Sequence, residues 1–442
     1  MNKTEKSSIN NIYQLDGRVP ISRAFPFGLQ HILAMFVGNI APILVVAGAL
    51  GMNTTQSAAL LQNAMLIAGI GTLIQLFPLW KIGSRLPIVM GISFTFVTVI
   101  CFVGTTYGYG VVLGAVLAGG IIEGVLGLFA KYWIRLISPI VSASVVTAIG
   151  FSLLAVGATS FGGGDTSAKN FGNMESWIIG GITLLSCIFF QIFAKSYYKQ
   201  LSVLFGLIVG YVVAVLFGAV DFSALHGAKI VALPHLLPYR IEFNINAIIS
   251  VTLIFLVSAT ETIGDSSALA VSGLQRDITS NELSGSICCD GFVSALSSLF
   301  GCIPITSYSQ NVGLVAMTRV VNRYTIGIGA VILVLAGIFP PIGALLATLP
   351  NPVLGGCTLM MFGSIVVSGI QMIGKAGYTQ RNIVIAALSL SIGIGFTQVP
   401  KIFAHFPLMA QNVFAQNCVA VTFLVAVILN LVLPKNMEAH SL

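Results

Sequence analysis

Apolar stretches of roughly twenty residues follow one another along almost the whole chain, separated by short polar turns, and a stretch of about that length crosses a bilayer as a helix. Fourteen can be counted, at 26–50, 56–79, 86–104, 111–130, 136–158, 176–194, 200–220, 245–270, 286–301, 304–319, 325–347, 353–372, 381–398 and 417–434. The pattern predicts an all-α integral membrane protein. Two stretches are interrupted. Residues 304–319, PITSYSQNVGLVAMTR, are polar and led by Pro304, and a similar interruption opens at Pro87 in LPIVMGISFTFV. Inside hydrocarbon, unwound backbone is tolerated only where protein or a water-filled cavity satisfies it, so the pair locates a site. A plain proline kink is the competing explanation, but it does not need the polar run Thr306, Ser307, Tyr308, Ser309, Gln310 and Asn311. Residues 86–92 and 303–309 are short, β-branched and proline-started, and each is expected to form a brief strand ahead of a half-helix. Ser93 and Gln310 then fall near helix N-termini, whose free N–H groups suit carbonyl oxygens or an anionic ring.

The two halves repeat each other. Aligning Pro87 with Pro304 gives an offset of 217 and sets Ser93 opposite Gln310. Gly114-Ala115-Val116 returns as Gly329-Ala330-Val331 at 215, and Ser138-Pro139 with Gly150 returns as Asn351-Pro352 with Gly363 at 213. Seven spans per half is an odd number, so the copies thread the membrane in opposite directions, as in secondary transporters that hold substrate between broken helices. The expected division is a tail at 1–24, a first repeat at 25–240, a second at 241–434 and a tail at 435–442.

Composition fits this reading, with 7% of residues charged, 56% hydrophobic and a mean hydropathy of +0.98. With both termini in the cytoplasm, 16 of the 20 basic residues fall inside and only Lys169, Lys229, Arg240 and Lys401 outside, the bias that sets orientation. The net charge of +7 then reflects topology and anionic lipid rather than nucleic acid. The seven cysteines lack metal spacing or a disulfide pattern and read as small packing residues. The polar N-terminus lacks the apolar core and cleavage site of a signal peptide.

Candidate chemistry centres on LIFLVSATETIGDSSALAVSG, where Glu261 and Asp265 stand four apart on one helical face. Carboxylates at membrane depth are expensive and mark proton or substrate pathways, and one protonatable acid suffices for proton coupling. A pair of helix-end acids is the alternative, stronger for Asp265. Asp290 in GSICCDGFVS either supports the site or caps a helix. His31 reads as a buried histidine bonding across helices, and Glu123 as facing a helix interface or snorkelling to the inner surface. No metal ligand set or nucleophile–base pair has convincing spacing, so an enzyme is not expected.

These residues identify the chain as a member of the nucleobase-ascorbate transporters, the nucleobase:cation symporter-2 family. Gln310 to Arg319, QNVGLVAMTR, fits the signature Q/E-N-x-G-x-x-x-x-T-R/K/G, joined by Gln30-His31, the run from Glu261 to Asp265, Asp290-Gly291 and the Gly-x-Ser-Phe element at Gly91 to Phe94. The resemblance implies fourteen spans as two inverted repeats of seven, with a core domain (spans 1–4 and 8–11), a gate domain (5–7 and 12–14), and usually a homodimer in the bacterial plasma membrane. It implies that Glu261 and Gln310 hydrogen-bond a nucleobase, that backbone at Ser309 and Phe94 adds contacts, and that the Phe94 ring stacks on it. Ser93, Tyr308 and Asn311 complete the binding set, Asp265 and Asp290 join Glu261 in proton coupling, and His31, Thr318 and Arg319 support the site. No cofactor is implied beyond the coupling proton. Gln310 and Asp265 match the xanthine and uric acid permeases rather than the uracil permeases, favouring an oxidised purine with xanthine first and uric acid second. Ser93 and Arg319 depart from many bacterial xanthine permeases. A uracil symporter, or an inorganic anion transporter of the same architecture, is the alternative.

Overall fold

The computed structural model describes residues 11–134, 137–195, 197–222, 225, 230–415 and 417–434. Lys3, Lys6, Arg135, Lys229, Lys435 and the tail at 435–442, which entered the charge and domain assignments, lie outside the described residues. The first half carries α1 (Ile21–Ala49), α2 (Thr54–Leu76), β1 (Met90–Ile92), α3 (Val97–Tyr107), α4 (Tyr109–Leu128), α5 (Pro139–Phe161), α6 (Met174–Phe193) and α7 (Ser202–Leu216). The second carries α8 (Ile245–Leu274), α9 (Ser280–Leu299), β2 (Ile305–Ser307), α10 (Ser309–Thr318), α11 (Arg323–Ile338), α12 (Asn351–Ala376), α13 (Gln380–Gln398) and α14 (Cys418–Val432). Among the described residues eight helices are long and apolar enough to cross a membrane, or nine if α11 is joined to the short helix Pro340–Ala347.

Local chemistry sets several boundaries. Asn53 starts α2 through a reciprocal cap with Gln56, and Thr279 starts α9 in the same way with Glu282, satisfying N–H groups that a helix end leaves free. The α9 start lies six residues before the expected 286, so Asp290 is an interior helix residue and not a cap. The stretch expected to run unbroken over 325–347 bends by 80° after Ile338. Pro340 and Pro341 follow Phe339, whose backbone is extended, as a residue before proline tends to be.

α1 to α4 pack with α8 to α11, most closely α4 on α9 and α2 on α11, while α5 packs on α12, α6 on α7 and α13 on α14. Glycine makes the α4–α9 contact possible: a Cβ on Gly291 would lie 2.7 Å from the Gly124 Cα and 2.6 Å from the Gly120 carbonyl oxygen. Glu123 sits in this interface, buried, with neither carboxyl oxygen hydrogen-bonded among the described residues. It does not snorkel.

The two strands lie buried between these layers and pair antiparallel, Met90 with Ser307, Gly91 with Thr306 and Ile92 with Ile305. A two-stranded sheet leaves outward N–H groups that burial makes costly to leave unpaired. Each is met by a side chain: Met90 N donates to Thr72 Oγ1 at 2.9 Å, Ile92 N to Asn39 Oδ1 at 2.8 Å, Ile305 N to Ser294 Oγ at 3.1 Å and Ser307 N to Asp290 Oδ2 at 3.2 Å. Polar residues on α1, α2 and α9 thus close the sheet edges.

Candidate substrate site

Where β1 and β2 end, the chain turns back into helix. Ser93 precedes a 3-10 turn, Phe94–Phe96, that runs into α3, and Tyr308 precedes α10. Both helical starts face a cavity of about 620 Å³. On one wall it is lined by Ser93, Phe94, Thr95, Glu261, Tyr308, Ser309 and Gln310, and on the other by Val146 and Ile149 of α5, Val203 and Leu204 of α7, and Met360, Met361 and Ser364 of α12. Both walls mix polar and apolar groups, since Leu33, Ala34 and Val37 of α1 join the first, and Gln191 of α6, Ser202 of α7 and Ser368 of α12 join the second, as in pockets where a few convergent polar groups orient a ligand and apolar surface encloses it.

Thr95 donates its hydroxyl to Glu261 Oε2 at 2.8 Å, and Ser309 donates to Asp265 Oδ2 at 2.6 Å. The four-residue spacing on α8 therefore presents one acid to each interrupted element. Gln310 reaches the cavity exposed and without a hydrogen bond among the described residues, so its amide donor and acceptor are free for a ligand. The rings of Phe94 and Phe362 of α12 meet at 85° with centroids 5.2 Å apart, an arrangement in which this contact covers at most one face of Phe94.

Behind this layer lie residues that hold it. Asp290 accepts the hydroxyls of Thr262 and Ser307 as well as the Ser307 N–H, tying α8, α9 and β2 together. Asn311 donates through Nδ2 to His31 Nδ1 and to the His31 carbonyl, both at 3.0 Å, which puts the ring proton of His31 on Nε2. Asp265, Asp290, Asn311 and His31 do not line the cavity. Thr318 and Arg319 close α10 at its far end, Arg319 in the left-handed region with φ 60°, and neither lines the cavity. Tyr308 fills the space over Gly38, and its buried hydroxyl has no hydrogen-bond partner among the described residues.

Sequence reasoning missed Thr95, Thr262, the sheet-edge acceptors Asn39, Thr72 and Ser294, and the facing wall from α5, α7 and α12. Thr95 had a findable signal, since it is two residues past Ser93 at the same helical start. Valine and methionine on α5, α7 and α12 carry none in a chain that is apolar throughout.

A family profile described as Permease family, Xan_ur_permease, matches residues 22–402. The chain is 34% identical over 437 residues to the xanthine permease XanQ of Escherichia coli (strain K12), covering 96% of this chain and 94% of that protein. It is 34% identical over 406 residues to the uric acid permease PucK of Bacillus subtilis (strain 168), covering 91% and 94%. Among solved structures, the transmembrane domain of the cyanobacterial bicarbonate transporter BicA superposes with a TM-score of 0.58 at 16% identity, covering 95% of this chain and all of that one. At that identity the likeness is one of fold.

Proposed function

The chain belongs to the permease family of the nucleobase:cation symporter-2 proteins, a multi-pass membrane nucleobase permease and not an enzyme, and on that premise we propose that it is a proton-coupled symporter importing an oxidised purine, xanthine before uric acid. The observation that carries the reading is the joint presence of Glu261, Gln310 and Phe94 on one wall of a cavity deep in an apolar protein. In this reading Glu261 and the Gln310 amide take the edge of the base, the N–H groups at Phe94 and Ser309 meet its carbonyl oxygens, and Phe94 stacks on its face. Ser93 and Tyr308 shape the floor. Asp265, through Ser309, and Asp290, through Ser307, hold β2 and α10 in place, with Asn311 and His31 fixing α10 against α1. Glu261 carries the coupling proton, with Asp265 and Asp290 as its neighbours, and no cofactor takes part.

The same reading takes the chain as fourteen spans in two inverted repeats of seven. The strand register supports it: Met90 pairs with Ser307, a difference of 307 − 90 = 217, the offset that Pro87 and Pro304 set at this point of the repeat, as a two-fold axis between the strands requires. The grouping of α1–α4 with α8–α11, and of α5–α7 with α12–α14, supports a core and a gate. Movement of one against the other gives alternating access, and ligand drives it only by binding the two states unequally. The cavity also reaches Lys199 and Met317, at the end where basic residues cluster, which supports an inward-open state. A homodimer in the bacterial plasma membrane, contacting lipid, with both termini cytoplasmic, completes the proposal.

The test is uptake of labelled xanthine in proteoliposomes under an imposed inward proton gradient, with competition by uric acid, guanine, hypoxanthine and uracil. Xanthine should accumulate, uric acid should compete best, and an uncoupler or Glu261→Gln should abolish accumulation. Accumulation that survives the uncoupler would refute proton coupling. Competition by uracil alone, or uptake of bicarbonate instead, would move the protein to the pyrimidine or anion reading.

A further inference from the structure

The N-terminal segment that reads as a polar lead-in is bound into the body of the protein. Ile12 is buried. The Asn322 side chain, between α10 and α11, shares the two hydrogens of Nδ2 among the carbonyls of Asn11 at 3.1 Å, Gln14 at 3.0 Å and Gly17 at 2.5 Å. Its own carbonyl oxygen accepts the Thr325 N–H at 2.9 Å and caps α11. One amide thus serves two tasks. Arg323 N donates to the Leu15 carbonyl at 3.2 Å, so the corner is held to the segment through backbone as well.

The charges sharpen the picture. The Arg323 side chain is only 11% exposed. Its guanidinium lies over the rings of Phe77 and Tyr324, at 5.0 and 5.4 Å, and donates to the Leu76 carbonyl at 3.2 Å. Asp16 meets its charge, with Oδ1 2.5 Å from Arg323 Nε in an ion pair rather than an aligned hydrogen bond. The other oxygen of Asp16 lies 3.7 Å from Arg85 Nη2. Exposed ion pairs contribute little, and the Arg85 contact is of that kind. The Arg323 contact is not, because removing the acid leaves a largely desolvated guanidinium without its counter-charge.

What matters is where the two arginines stand in the chain. Arg85, at φ 63°, is the last charged residue before Pro87 and β1, and Arg323 follows the end of α10. Asp16 therefore bridges the approach to one interrupted element and the exit from the other. We propose that Asp16 is a positioning residue, and the segment 11–18 a clasp, that hold the cytoplasmic ends of β1 and α10 in one fixed relation and so set Gln310 against Phe94. The proposal rests on the substrate site described above.

Two variants test it without sharing a failure mode. Asp16→Asn removes the counter-charge, and Asn322→Asp keeps the acceptor that caps α11 while removing the donors to the three carbonyls. Hydrogen exchange of the ligand-free protein should rise about tenfold or more in peptides covering 86–92 and 305–318 in either variant, with little change in α6 or α13. Xanthine KM should rise about tenfold with kcat nearly kept, and Asp16→Glu should restore both. Unchanged exchange in both peptides, in whichever variant folds, overturns the clasp. Faster exchange with an unchanged KM upholds the clasp and overturns the substrate-site reading instead, so the two can fail separately.

Discussion

At the scale of single residues, the acids of this chain divide by what surrounds them. Glu261 and Asp265 each receive a hydroxyl from an interrupted element, and Asp290 receives two hydroxyls and a backbone N–H. Glu123 receives nothing among the described residues, and it is packed in a glycine-lined interface beside apolar neighbours. A charged group there would be penalised far more than a neutral one of the same shape. Glu123→Gln is therefore expected to fold with a stability within about 1 kcal/mol of the parent. Glu123→Ala, which empties space between α4 and α9, should lose about 2 kcal/mol or more. Thermal unfolding in detergent with tryptophan fluorescence reads both, and a Gln variant that destabilises as much as Ala would mean that a partner for the carboxylate has been overlooked.

At the scale of elements, the closest fit is α1 against the start of α10. A Cβ on Gly38 would collide with the Tyr308 hydroxyl and lie 2.7 Å from the ring carbon that bears it, and a Cβ on Gly91 would lie 3.0 Å from the same ring. Gly38→Ala should thus push Tyr308 toward the cavity and cut xanthine uptake at least about tenfold, and Tyr308→Phe in the same chain should recover part of it. Parental uptake in Gly38→Ala would show that the ring yields without cost, and an equal loss in the single and double variants would show that the hydroxyl is not what collides. This packing was invisible in the sequence, because glycines are frequent in membrane helices and a single one gives no signal. What was legible were features that hydrocarbon forbids without compensation: Pro87 and Pro304, the polar run to Asn311, and the paired acids of α8. Of these, Glu261 and the run from Thr306 to Gln310 line the cavity, as the same rule requires, since unpaired backbone must face protein or water. The sheet-edge acceptors Asn39, Thr72 and Ser294 were not legible, because a hydroxyl or amide within an apolar helix reads equally as helix-to-helix packing. Asp290 was placed at the site, but its task at the edge of β2 depends on register, which only the folded chain provides.

At the scale of the whole molecule, sidedness joins the charge pattern to the cavity. The threading proposed above puts Lys131, Lys199, Arg319 and Lys375 on one face, and the cavity is lined by Lys199 and Met317. The same threading puts the connection at 162–173, between α5 and α6, with Lys169, on the opposite face. If translocation favours leaving lysine and arginine inside, a membrane-impermeant maleimide should label Ser167→Cys on intact cells. Met317→Cys should react only in inverted vesicles, and bound xanthine should slow it. Six of the seven native thiols are buried and Cys101 is half-buried, so background labelling should be small. The outcome bears on mechanism as well as orientation, because a proton gradient drives import only if the cavity reaches the cytoplasm in one state and the outside in the other. Labelling of Met317→Cys on intact cells would invert the threading, and with it the side of the membrane to which this cavity opens.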